Sequence, residues 1–280
     1  MKDISLGAAA LAALASLAAC ADDGVSLAPF SLTVTPDVRT AYMSRGKVIE
    51  DRPFASVRFR GDVDLGAFGK FGLWQWSRHA LSGHRQNATR RAFTEDDYAM
   101  FWHYDLGLAE GWFLSSEFTM DWLTFPGFHG EAQQQKRDAT MVEFRVDQSL
   151  DNPYLTPFWQ MRHAIHPVEW MYVHVGAKHR FRIMEDVSLT PSVFAGTGNE
   201  LLFEQRFGKR EYGRRYHRGI MTVNGELLLE WRVCRYVTMF ASVNQYDVVS
   251  EDVRRSLSGR RHPKGRRDLV YGTCGLKIRF

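Results

Sequence analysis

Past its N-terminus the chain has no long apolar run. Mean hydropathy is −0.31, and nothing beyond the first residues approaches the roughly 18 apolar residues of a spanning helix, which excludes a helical membrane protein. Gly-rich phosphate loops and paired catalytic carboxylates are missing too. Cysteine is scarce, at three in 280 residues. If Cys20 leaves with the N-terminal segment, Cys234 and Cys274 remain, one at a predicted turn and one in the middle of the last segment. They should then lie farther apart than the Cα separation of about 4.4 to 6.8 Å that a disulfide allows, so two free thiols with no redox or metal role are expected.

What the chain does contain is alternation. Short segments with a two-residue apolar/polar period recur from Ser31 to Phe280, separated by gaps that are short and long in turn, the signature of strands with one polar and one apolar face. Twelve are predicted: Leu32 to Arg45, Ser56 to Asp64, Phe71 to Arg78, Asp97 to Leu106, Trp112 to Trp122, Thr140 to Asp147, Leu155 to Arg162, Trp170 to Ile183, Val187 to Gly196, Met221 to Arg232, Val237 to Tyr246 and Leu269 to Phe280. Most reach the roughly 9 to 11 residues that a tilted strand needs to cross hydrocarbon.

The connections sort by length. Tight ones at Ala109-Glu110-Gly111, Asp151-Asn152-Pro153, Glu185-Asp186 and Arg235 alternate with long polar ones at Ser82 to Glu95, Gly127 to Asp138, Gly198 to His217 and Val249 to Arg267. That asymmetry predicts an all-β fold, a single antiparallel transmembrane β-barrel of about twelve strands with short periplasmic turns, long outer loops and both termini inside. Aromatic girdles fit the same picture, with Tyr42, Trp76, Tyr98 and Trp122 near predicted outer ends and Trp112, Trp231 and Phe280 near inner ends. A soluble sandwich is the alternative, but twelve long strands with one charged face close poorly around a dry core.

Lys2 followed by the apolar stretch Leu6 to Ala19 reads as an export signal. Ala19-Cys20-Ala21 suits ordinary cleavage, giving a signal over residues 1–21 and a barrel over 22–280. Leu17-Ala18-Ala19-Cys20 also fits a lipobox, which would leave Cys20 as a lipidated N-terminus. The expected location is the cell outer membrane.

If the charged parity points inward, Arg39, Arg58, Arg60, Glu117, Asp121, Glu143, Arg145 and Lys178 line the lumen. Outward placement would cost roughly 2 to 4 kcal/mol for each Lys or Arg at the midplane. Glu117 and Asp121 make the fifth segment acidic, while the first, second and eighth are basic. Two readings stay open: a transverse field across a water-filled pore, or neighbouring ion pairs filling a narrow lumen. The net charge of +4 is concentrated in loop-like segments, at Lys209, Arg210, Arg214 and Arg215, then at Arg254, Arg255, Arg260, Arg261, Lys264, Arg266 and Arg267. On an outer face these bases would meet lipopolysaccharide phosphates or draw anionic solutes to the mouth; nucleic acid is not an expected partner of an exported chain.

Rim catalysis has thin support. His163 and His166 fall at a predicted outer connection, and Ser77 and Ser82 end the third segment, but nothing sets a serine within reach of either histidine. No third ligand stands near the histidine pair, so no metal and no cofactor are expected.

Two resemblances add to this. The last segment stops on Phe280 in phase with its apolar set and resembles the terminal strand of bacterial outer-membrane proteins, which implies the barrel-assembly machinery as a partner. Thr40-Ala41-Tyr42-Met43-Ser44-Arg45-Gly46, then Arg52-Pro53 and Gly72-Leu73-Trp74, resemble the Tyr-x-x-Arg-Gly stretch, Pro and Gly-x-Trp strand of small outer-membrane porins of the TorF-like type, whose substrates are mostly undefined. The match covers about the first third of the mature chain and implies a passive channel. The expectation is therefore a diffusion channel for small hydrophilic solutes, anionic ones included. The rivals are a rim-active lipid or lipopolysaccharide hydrolase and a structural or surface-binding barrel with a plugged lumen.

Overall fold

The computed structural model describes residues 29–44, 47–50, 52–81, 94–124, 140–167, 169–207, 219–258 and 267–280. Twelve long strands dominate: β1 (Phe30–Arg39), β2 (Phe54–Asp64), β3 (Lys70–Ala80), β4 (Thr94–Ala109), β5 (Trp112–Thr124), β6 (Thr140–Asp151), β7 (Thr156–His166), β8 (Trp170–Lys178), β9 (Val187–Gly198), β10 (Thr222–Arg232), β11 (Val237–Val248) and β12 (Asp268–Arg279). Each pairs antiparallel with its sequence neighbours. The ring closes where β1 meets β12, with Val34 opposite Ile278 and Val38 opposite Cys274. A two-residue strand, Phe181–Arg182, follows β8 and pairs with the start of β9. Closure leaves the twelve-strand wall, among the described residues, without an unpaired edge strand, which is what lets a β-structure sit in a medium without competing hydrogen bonds.

The pleat sorts the side chains. Along β5, Thr119, Asp121 and Leu123 are buried inside while Phe118 is exposed outside. Along β10, Thr222 and Asn224 turn inward and Leu227, Leu229 and Trp231 outward. Leu73 at 60% and Val270 at 67% exposure show how apolar the outer surface is. A closed wall with this outward face suits hydrocarbon rather than water.

The two ends differ. One carries short turns, including the two residues between β4 and β5, where Gly111 takes φ 73°, a backbone conformation that a side chain disfavours. The other carries the long connections, with one exception: β7 and β8 are joined there by residues 167–169 alone.

Two helices stand at the long-loop end where polar loops were expected, α1 (Glu200–Phe207) and α2 (Glu251–Ser258). Asn199 starts α1, its Oδ1 accepting from the Leu202 amide at 3.0 Å and from the Met171 amide of β8 at 3.1 Å, as an N-cap does. Val253 and Leu257 lie one turn apart on α2, so both face the same way. Leu202, Phe203, Val253 and Leu257 are buried against Trp170, Tyr172, Tyr246, Val248, Ala164 and Met221 of the wall, with Met43 and Met141 packed on the cluster. Met43 also packs on Ala41 and Leu269, and Tyr42 packs on Phe54, Trp74, Trp76, Ala99 and Phe101. Apolar side chains thus roof the long-loop end of the interior.

Three expectations need correction. The first strand does not run on to Arg45; it leaves the wall after Arg39, and Tyr42–Ser44 pairs with Lys47–Glu50 in a separate hairpin. Tyr42 and Trp76 are consequently not outward girdle residues. Trp76 has the inward parity of Trp74 and Arg78 and is buried, and Tyr42 meets it at 5.8 Å between ring centroids. Of the two cysteines expected to be free, Cys274 is free and exposed, whereas Cys234 is in a disulfide. The fate of Cys20 lies outside the described residues.

Candidate functional site: a charged lumen

The inward parity of β1 to β7 carries many of the ionisable side chains, and their pairing organises that part of the interior. Arg60 on β2 reaches Glu117 on β5, Nη2 to Oε2 at 2.8 Å, with its guanidinium 3.7 Å from the centre of the Phe101 ring. Arg145 on β6 lies within 3.4 Å of Glu117, 3.7 Å of Asp121 and 2.7 Å of Asp147, and donates to Thr119 Oγ1 at 3.1 Å. Arg162 on β7 approaches Glu143 at 3.7 Å and donates to Gln160 at 2.8 Å, and Gln160 donates to Asp147. On β1, Asp37 holds Arg39 at 3.0 Å and accepts from Ser56 at 2.6 Å. Most of these acids are spoken for by arginines, which a low-dielectric wall requires.

Nearer the long-loop end, Arg78 and Glu95 form a pair at 3.3 Å with side chains 2% and 3% exposed. Tyr42 closes over it, its ring 4.4 Å from the Arg78 guanidinium and its hydroxyl donating to Glu95 at 3.4 Å. Glu95, expected in the long connection from Ser82, belongs to β4, which begins at Thr94; the alternation of Glu95 and Asp97 with Tyr98, Met100 and Trp102 carries that signal.

Two of the sequence-predicted residues differ from the others. Arg58 lies on the inward face in the middle of β2, is exposed, and forms no ion pair among the described residues. Its guanidinium is 5.3 Å from the Trp74 ring, and its electrostatic neighbours are Arg145, Arg39 and Arg162, with Asp37 as the acid. Lys178, at the end of β8, is also inward, exposed and unpaired among the described residues, 5.9 Å from the Phe158 ring. An exposed side chain deep on the inner face means that solvent-sized space persists around it.

Arg39, Arg60, Glu117, Asp121, Glu143 and Arg145 are the members of the paired network. Glu143 has no exposed surface at all. Of the loop bases, Arg254 and Arg255 sit exposed on α2, Arg255 pairing with Glu251, and Arg267 precedes β12. Lys209, Arg210, Arg214, Arg215, Arg260, Arg261, Lys264 and Arg266 lie outside the described residues.

The histidine pair is not brought together with a nucleophile among the described residues. His163 faces outward on β7, with Nε2 3.4 Å from Glu169. His166 is exposed at the rim. Ser77, outward on β3, is four strands away, and Ser82 is outside the described residues. No group of three metal-binding side chains occurs among the described residues.

The sequence matches no protein-family model and no curated protein, so the resemblance to TorF-like porins rests on the residues that carry it. Among solved structures, the chain is similar to the NanC porin, with 10% identity, a TM-score of 0.49, and 88% of this chain and 98% of that chain covered. It is similar to the KdgM porin at 8% identity and a TM-score of 0.47, over 89% and 99%. It is also similar to outer membrane phospholipase A from Escherichia coli at 10% identity and a TM-score of 0.43, over 89% and 92%.

Proposed function

We propose that this protein is an outer-membrane channel for small hydrophilic solutes, with anions favoured. The observation that carries the proposal is Arg58: an exposed cation in mid-lumen, without an ion pair among the described residues and in the company of other arginines. A side chain that needed only structural compensation would resemble Arg60 or Arg145, each held by carboxylates. A cation left free inside a narrow aqueous space raises the local concentration of anions and lowers that of cations. The apolar outer surface supports residence in a membrane, and the short-turn and long-loop ends support an outer-membrane orientation with the short turns in the periplasm.

Planar-bilayer recording tests this. Discrete conductance steps are expected, with a reversal potential in a KCl gradient displaced towards the chloride value, and Arg58→Glu should displace it towards the potassium value. Absence of steps, or a reversal potential indifferent to Arg58→Glu, would refute it.

A second reading, a barrel closed for structural or surface-binding work, draws on the roof formed by Leu202, Phe203, Val253 and Leu257. In the channel reading that roof is a closed outer gate.

A further inference from the structure

We infer that the short-turn end of the lumen is a binding site for a small free dianion of the phosphate or dicarboxylate class. A cavity of about 560 Å³ opens there, within the few hundred cubic ångströms typical of small-molecule sites. Its cationic lining is Arg180, Arg182, Arg232, Lys277 and Arg279. The acids that face them are partly engaged: Glu230 holds Lys277 at 3.2 Å and Arg180 at 3.8 Å, and Asp186 holds Arg232 at 2.6 Å. Glu185 is the remaining acid of the lining.

Arg182 and Arg279 are left without an ion pair among the described residues. A guanidinium presents a planar fork of donors matched to a carboxylate or phosphate, so two of them beside one cavity suit a ligand with two negative charges. A second and independent observation is Ser188. It lines the same cavity and is 4% exposed, and its Oγ has no hydrogen-bond partner among the described residues. Buried hydroxyls are rarely left so, and a rotation of the Ser188 side chain towards the cavity would let it donate to an anion oxygen. Arg182, Ser188, Lys277 and Arg279 share the inward parity of their strands, so the ligand comes from the lumen or the adjoining water rather than from a lipid headgroup. The site goes beyond the channel proposal and does not require that the lumen conduct.

The test is calorimetric titration of the purified full chain in detergent micelles with inorganic phosphate and, separately, succinate. Saturable binding of at least one is expected, weakened about tenfold or more by Arg182→Ala and by Arg279→Ala, because each removes a charge-assisted hydrogen bond, and weakened less by Ser188→Ala. Unchanged circular dichroism confirms that the variants are folded. Absence of binding to both probes overturns the inference. So does binding that survives both arginine variants but is lost in Arg58→Ala, which would move the anion to mid-lumen. Binding of phosphatidylglycerol micelles without any response to phosphate or succinate would assign the cavity to a headgroup and likewise overturn it.

Discussion

Arg60 and Glu117 stand on strands three apart, β2 and β5, yet their side chains meet at 2.8 Å. The contact is a chord through the interior, propped by the Phe101 ring beneath the guanidinium at 3.7 Å, and it links two parts of the wall that share no backbone hydrogen bond. Glu117 also holds Arg145 at 3.4 Å, so one carboxylate compensates two cations.

Glu117→Gln keeps the shape and removes that compensation. A stability loss of about 1–3 kcal/mol is expected, the usual result of leaving charged donors with a neutral partner, together with stronger anion preference because Arg60 loses its carboxylate, while Arg145 keeps Asp121 and Asp147. Urea unfolding followed by circular dichroism measures the first and the reversal potential measures the second. An unaltered variant on both counts would mean that the chord is incidental.

The roof at the long-loop end makes a separate prediction. Val253 is fully buried among Leu202, Phe203, Leu257 and Trp170, and a carboxylate cannot remain there without a partner. Val253→Asp should therefore expel α2 while leaving the strand content intact, and should raise the frequency of conductance steps several-fold over the parent. A step frequency no higher than the parent's would mean that the roof is not a gate.

Packing inside the wall is tight at Gly275. A Cβ there would meet Pro36 O at 2.4 Å, Phe240 Cζ at 2.7 Å and Asp37 Cβ at 2.9 Å, so Gly275→Ala should cost about 1–3 kcal/mol through overpacking. Gly225 is the control, since the nearest atom to its Cβ would be Ser192 O at 4.0 Å. Equal unfolding midpoints for the two variants would contradict the close approach of β12 to β1.

The wall was legible in the sequence because a barrel repeats one local rule, and each of the twelve predicted segments corresponds to a strand. Its exceptions were not. Tyr42 has the outward parity of Val34 and Val38, and only the departure of the chain from the wall after Arg39 turns it over Arg78 and Glu95. Chords such as Arg60 to Glu117 escape a reading that compares neighbouring strands, since their partners are chosen by side-chain reach across the interior. The roof had a faint signal, the one-turn spacing of Val253 and Leu257 inside a basic loop, which charge alone obscured. Alternation places Arg58 with the other inward bases; that it alone of the arginines on β1, β2 and β6 has no ion pair among the described residues depends on three-dimensional distances that alternation does not carry.

Water reaching the centre of the barrel is the premise beneath the channel proposal, and Arg58→Cys in a Cys274→Ala background probes it directly. Treatment with a charged, membrane-impermeant methanethiosulfonate should modify the introduced thiol and reduce the conductance, whereas Cys274 of the parent, exposed on the outer apolar face, should react with a lipid-soluble maleimide and resist the charged reagent. A mid-lumen thiol that stays unmodified, with Cys274 labelled by the charged reagent instead, would mean that the faces are reversed.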